Sequence, residues 1–132
     1  MRIARSMLDQ IVAQARDEAP DECCGIVGTR DGRALQLFKM RNAAASPLRY
    51  EIDAKDLFRV HEALDAAGLE VGVIYHSHTR TPPEPSLTDI NLAQYPDALY
   101  LIVGVAGEAD DLRAWRIVNR QVSEAPLEVE DG

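Results

Sequence analysis

Residues 71–75, Val-Gly-Val-Ile-Tyr, run without a polar interruption and stop at His76-Ser77-His78. A short unbroken apolar run suits a central strand buried on both faces, so other layers of structure must cover it above and below. The flanking patterns supply them. Leu8, Ile11, Val12 and Ala15 repeat at helical spacing until Pro20 ends the pattern, and Ser6 with Asp9 reads as a capping box for that helix. A second stripe, Leu57, Val60, His61 and Leu64, is capped by Asp53 and closed by Gly68. Cys24–Thr29 and Ala34–Met40 flank Asp31-Gly32, the pattern of a β-hairpin. Residues 42–47 are expected as loop and 48–52 as extended chain. A short helix over about Leu87–Ala93, a long strand Ala98–Val105 and weaker strands Leu112–Val118 and Gln121–Leu127 complete the order. The predicted class is α/β, a mixed β-sheet flanked by helices. One domain over residues 1–127 is expected, followed by a flexible acidic tail, 128–132.

Charge and cysteine usage narrow the function classes. Fourteen basic against 22 acidic residues give a net charge of −8 with no compensating Lys/Arg cluster, so phosphate-driven nucleic-acid binding lacks its driving force. Trp115 and the tyrosines are not interleaved with basic residues, so a base-stacking platform is unsupported as well. The longest largely apolar run, Ala98–Gly107, is half of the ~20 residues a membrane-spanning helix needs, and Arg2 and Arg5 precede no signal-peptide apolar core. Cys23 and Cys24 are adjacent, which suits neither a loop-closing disulfide nor a zinc finger. They read as reduced thiols of a cytoplasmic protein.

The chemistry gathers at the end of the apolar strand. Positions i and i+2 of an extended segment share a face, which puts His76 and His78 about 6–7 Å apart at Cβ, a gap two imidazoles close around one ion. Asp89, returned by the proline-rich stretch 79–85, is the third candidate ligand. Three protein ligands leave a tetrahedral zinc one open position, which is the pattern of a catalytic site. Glu22, in Pro20-Asp21-Glu22-Cys23-Cys24-Gly25, is the candidate base. Each residue also has a plainer reading. Ser86-Leu-Thr-Asp89 is a helix-capping signature, Glu22 a solvated loop charge, and the histidines a satisfied polar strand end. What favours the site is the joint pattern: two of the chain's three histidines end its most apolar strand, where α/β sites form. His61 belongs to the helix stripe. A thiolate mechanism is disfavoured, because Cys24 opens a strand and Cys23 has no basic neighbour.

Glu22, His76, His78, Ser86 and Asp89 together resemble the motif of the JAMM/MPN+ metallopeptidases: a distant Glu, His-x-His, seven residues, Ser, two residues, Asp. The likeness extends to Pro20–Gly25, to Asn42 with Ser46-Pro47 and Tyr50, to Ile74–Thr79 and to Tyr100–Val103, and is strongest to the small bacterial branch of Mec-type peptidases. The resemblance implies a cytidine-deaminase-like (JAB/MPN) fold and one Zn2+ per chain on His76, His78 and Asp89. It also implies Glu22 as base and Ser86 as hydrogen-bond donor to the oxyanion. The implied substrate is a ubiquitin-like sulfur carrier protein ending in Gly-Gly, from which a C-terminal residue such as cysteine is released; a homodimer is left open. One departure stands out: deubiquitinating members usually carry proline after the second histidine, and this chain has Thr79. Three alternatives are a silent MPN-type scaffold that binds a ubiquitin-like partner and has no need of Glu22, a JAMM deconjugase of other ubiquitin-like conjugates, and a zinc nucleoside deaminase, whose Pro-Cys-x-x-Cys element is missing.

Overall fold

In the computed structural model, which describes residues 1–107 and 109–131, the 71–75 run lies in the middle of the chain's mixed sheet. The elements are β1 (Arg2–Ala4), α1 (Arg5–Glu18), β2 (Cys24–Arg30), β3 (Arg33–Met40), α2 (Ala54–Ala67), β4 (Glu70–His78), α3 (Leu87–Leu92), β5 (Leu99–Gly104), β6 (Asp111–Val118), β7 (Gln121–Ala125) and β8 (Glu128–Glu130). They form one eight-stranded sheet in the order β7-β6-β5-β4-β2-β3-β1-β8. β4 runs parallel to β5 and antiparallel to β2, so its backbone is paired on both sides.

Strand alternation divides the core into two layers. Val73 and Tyr75 of β4, with Leu99, Leu101 and Val103 of β5, meet Leu8, Ile11 and Ala15 of α1. Ile74 and Tyr100 point the other way, to Val60 and Leu64 of α2. Burying a side chain of Val, Leu or Ile size contributes roughly 1.5–3 kcal/mol, which is why the buried part of β4 carries no polar residue before His76. Gln14 is a buried polar residue beside the first layer. Its Nε2 donates to the Cys24 carbonyl at 3.0 Å and its Oε1 accepts from the Tyr75 hydroxyl, anchoring the start of β2. A Cβ on Gly25 would collide with the Tyr75 ring, so glycine is required there.

Several expectations are corrected. The segment after residue 127 does not start a loose tail: Glu128–Glu130 pairs in parallel with β1, and Arg33 reaches Glu130. Position 132 lies outside the described residues. Ser6 does not cap α1; the chain passes directly from β1 into the helix, with Ala4 at the N-cap. Asp53 sits at the N-cap of α2 without a side-chain cap bond, and residues 48–52 contribute one bridge, Ile52 to Asn42, rather than a strand. Gly68 closes α2 in the left-handed conformation, as expected. Among the described residues no helix is long and apolar enough to cross a membrane.

Candidate metal centre

The pleat of β4 puts His76 and His78 on one side at the strand's C-terminal end, both buried. Their Nε2 atoms lie 3.2 Å apart, and Asp89 Oδ2 lies 3.2 Å from His76 Nε2 and 3.0 Å from His78 Nε2. Of the described residues, His76, His78 and Asp89 are the group whose donor atoms converge closely enough to hold a metal.

Asp89 reaches this point through a capping box. The Asp89 amide donates to Ser86 Oγ at 3.0 Å, and the Ser86 amide donates to Asp89 Oδ2 at 2.9 Å. The capping and ligand readings of Ser86-Leu-Thr-Asp89 are therefore not rivals, because one carboxylate oxygen serves both. Ser86 Oγ accepts in the cap, and its own proton is not engaged in a hydrogen bond among the described residues.

Electrostatics prepare the donor set. Burial alone opposes ionisation of Asp89, but the bonds to His76 and His78 win and hold its carboxyl well below the usual carboxylate range. Burial pushes His76 down, which favours the neutral imidazole a metal requires. Burial also opposes charge on His78, yet its bonds to Asp89 and to the Pro82 carbonyl raise its affinity for a proton. That carbonyl accepts from His78 Nδ1 at 2.9 Å, which keeps a proton on Nδ1 and leaves Nε2 as the nitrogen facing Asp89, the one that would turn to a metal. Trp115 secures the same loop by donating from Nε1 to the Pro83 carbonyl at 2.9 Å. His76 Nδ1 is buried without a hydrogen-bond partner among the described residues; its ring instead stacks on Tyr50, centroids 4.5 Å apart and 23° from parallel. Two imidazoles and a carboxylate, buried and preoriented, fit a borderline divalent ion.

Glu22 joins this cluster through sheet register. Cys24 pairs with His76, and Cys23 is tied to Ser77 by its amide to Ser77 Oγ (2.8 Å) and its carbonyl to the Ser77 amide (3.2 Å). Continued by one residue, that register sets Glu22 opposite His78. The residue is 4% exposed, and its Oε1 has no hydrogen-bond partner among the described residues. Burial pushes its carboxyl up to about 7, His78 pulling it down and Asp89 adding to the rise. Glu22 is thus not a solvated loop charge. The cysteines are inert: they point into opposite core layers, and burial pushes both thiols up to about 12. His61 meets the Tyr95 hydroxyl at 3.3 Å and takes no part in the cluster. Sequence reasoning gave no role to Tyr50, Pro82 or Asn42, whose side chain binds the Glu22 carbonyl; the family likeness at Asn42 and Tyr50 was the one signal that pointed to two of them.

A buried His-His-Asp set at the end of β4 and the start of α3, with a buried glutamate beside it, defines a metal-dependent hydrolase of the JAMM/MPN+ peptidase class. Residues 4–118 match the prokaryotic homologs of the JAB domain, and the chain belongs to that family. It is 38% identical over 130 residues to the CysO-cysteine peptidase of Mycobacterium tuberculosis, covering 96% of this chain and 89% of that one. The desampylase of Haloferax volcanii is 34% identical over 114 residues, covering 81% and 82%. The solution structure of a Desulfitobacterium hafniense protein superimposes with a TM-score of 0.89 at 25% identity, over 100% of this chain and 94% of that one.

Proposed function

We propose that this chain is a zinc peptidase that cleaves after the C-terminal Gly-Gly of a small ubiquitin-like sulfur carrier protein, releasing one C-terminal amino acid such as cysteine. The observation that carries the reading is buried Glu22, whose Oε1 has no hydrogen-bond partner among the described residues, beside the His76–His78–Asp89 donor set. Likeness to the CysO-cysteine peptidase over nearly the whole chain supports the substrate class. His76, His78 and Asp89 would hold the zinc, which when bound would supply Lewis acidity that brings the ionisation of water towards pH ~7.

Glu22 takes the proton of the attacking water and passes it to the departing nitrogen, so one water is consumed and a carboxylate and an amine are formed. Ser86 Oγ, already fixed by the Asp89 amide, donates its free proton to the carbonyl oxygen as negative charge develops there. Such a donor is worth about two orders of magnitude in rate. Two glycines before the cleaved bond let an extended tail approach the buried donors closely.

A second reading, deconjugation of ubiquitin-like proteins from lysine side chains, is favoured by the likeness to the desampylase. It uses the same residues and differs in the leaving amine. A silent scaffold that only docks such a partner has no use for a buried base. The test gives the zinc-loaded protein two substrates, a carrier extended by one residue beyond Gly-Gly and an isopeptide-linked conjugate, and follows both by mass spectrometry. Release of the extra residue is expected. Cleavage of the conjugate alone favours deconjugation, and intact substrates in both arms overturn the peptidase reading for them.

A further inference from the structure

We infer that Asn42 is a positioning residue for the hydrolysis, setting at once the backbone that carries Glu22 and the loop that lays Tyr50 against His76. The inference rests on the reading of Glu22 as the base. Asn42 is 6% exposed, and its side-chain amide is fully committed. Nδ2 donates to the carbonyls of Glu22 (2.9 Å) and Arg49 (3.0 Å), while Oδ1 accepts from the amides of Ala44 (3.0 Å) and Glu51 (2.9 Å). An amide side chain offers two N–H groups and one doubly accepting oxygen, so no capacity is left over.

The partners make this more than loop stabilisation. The Glu22 amide donates to the Ser46 carbonyl at 2.9 Å, so residues 42–46 hold the base's backbone by both its N–H and its C=O. On the other side, Asn42 grips Arg49 and Glu51, the two neighbours of Tyr50. Tyr50 in turn covers the ring of His76, whose Nδ1 has no hydrogen bond to fix it. One side chain therefore couples the height of the base to the plane of a ligand imidazole. The loop has no ladder of its own to do this, since its one bridge is Asn42 to Ile52.

Asn42→Asp tests the role, because it keeps the shape and the accepting oxygen but turns the donor facing Glu22 and Arg49 into a second acceptor. Turnover should fall by about 30-fold with KM within about threefold of wild type and metal content unchanged. In the metal-free protein, the NMR signals of the His76 ring protons, displaced by the stacked Tyr50 ring, should move towards unstacked positions. In a Glu22→Gln background the same change should cost less than about tenfold more, since the base is gone and only the arm through Tyr50 and His76 remains. Ile11→Val, a core change away from the loop, should leave turnover intact at comparable thermal stability. Wild-type turnover in Asn42→Asp overturns the inference, as does the full loss reappearing on top of Glu22→Gln. If Asn42→Asp does not fold, Asn42→Ser is carried through the same cycle. Glu22→Gln is measured first: full turnover in that single variant overturns the base assignment itself, which separates the two failures.

Discussion

The hydroxyl of Thr79 donates to the carbonyl of Pro20 at 2.8 Å, joining the turn that follows His78 to the turn that leads into Glu22. This is the position at which the sequence departs from the proline of deubiquitinating relatives, and proline has no hydroxyl to make the clasp. Thr79→Val should cost about 0.5–1 kcal/mol of stability and lower turnover a few-fold with metal retained, while Thr79→Ser restores both. Thermal melts and steady-state kinetics on the three proteins check it; wild-type turnover in Thr79→Val would show that the clasp is dispensable.

Metal loading should be stoichiometric and stabilising. Elemental analysis is expected to give about one zinc per chain, and a His76→Ala/His78→Ala double variant should retain almost none. Chelation should abolish activity and zinc should restore it. Because the ion binds the folded donors, saturation at a thousandfold over Kd adds about 4 kcal/mol, visible as a rise in Tm. Full zinc retention by the double variant would remove these histidines from the site.

Glu22→Gln keeps the side chain's shape but cannot accept the water's proton. Zinc content should stay at the wild-type level while turnover drops at least ~100-fold. Loss of metal together with activity would make Glu22 a ligand. Its pH behaviour is a separate readout. The folded carboxyl holds its proton up to about pH 7, against 4.5 for the free group, so between these values the folded state binds more protons than the unfolded state. The stability of the metal-free protein should therefore fall as pH rises through that window, and Glu22→Gln should flatten the fall. Parallel pH–Tm curves for the two proteins would contradict it.

Ser86→Ala separates the two duties of one hydroxyl. Loss of the cap should cost ~1 kcal/mol, since the Asp89 amide loses its acceptor. Loss of the oxyanion donor should lower turnover by about 100-fold, far beyond any loss of folded protein. A variant that is only less stable, with turnover per folded molecule unchanged, leaves Ser86 as a cap alone.

The sequence by itself determined what local spacing controls. An apolar run fixed β4 as the strand between two layers, the i, i+2 histidines fixed a shared face, and Ser86 three residues before Asp89 fixed a helix start that presents the carboxylate. Long-range partners decided the rest. Glu22 is a base candidate rather than a surface charge because β2 pairs with a strand some fifty residues later, which buries it against His78. Residues 128–130 are a strand rather than a tail because β1, at the opposite end of the chain, offers an edge, and that same pairing leads the chain straight into α1 without the Ser6 cap. The grip of Asn42 on Glu22, and of Tyr50 on His76, was equally out of reach. Face and spacing are set by a residue's neighbours in sequence, whereas burial, a missing hydrogen-bond partner and a shifted pKa depend on which distant segments pack against it.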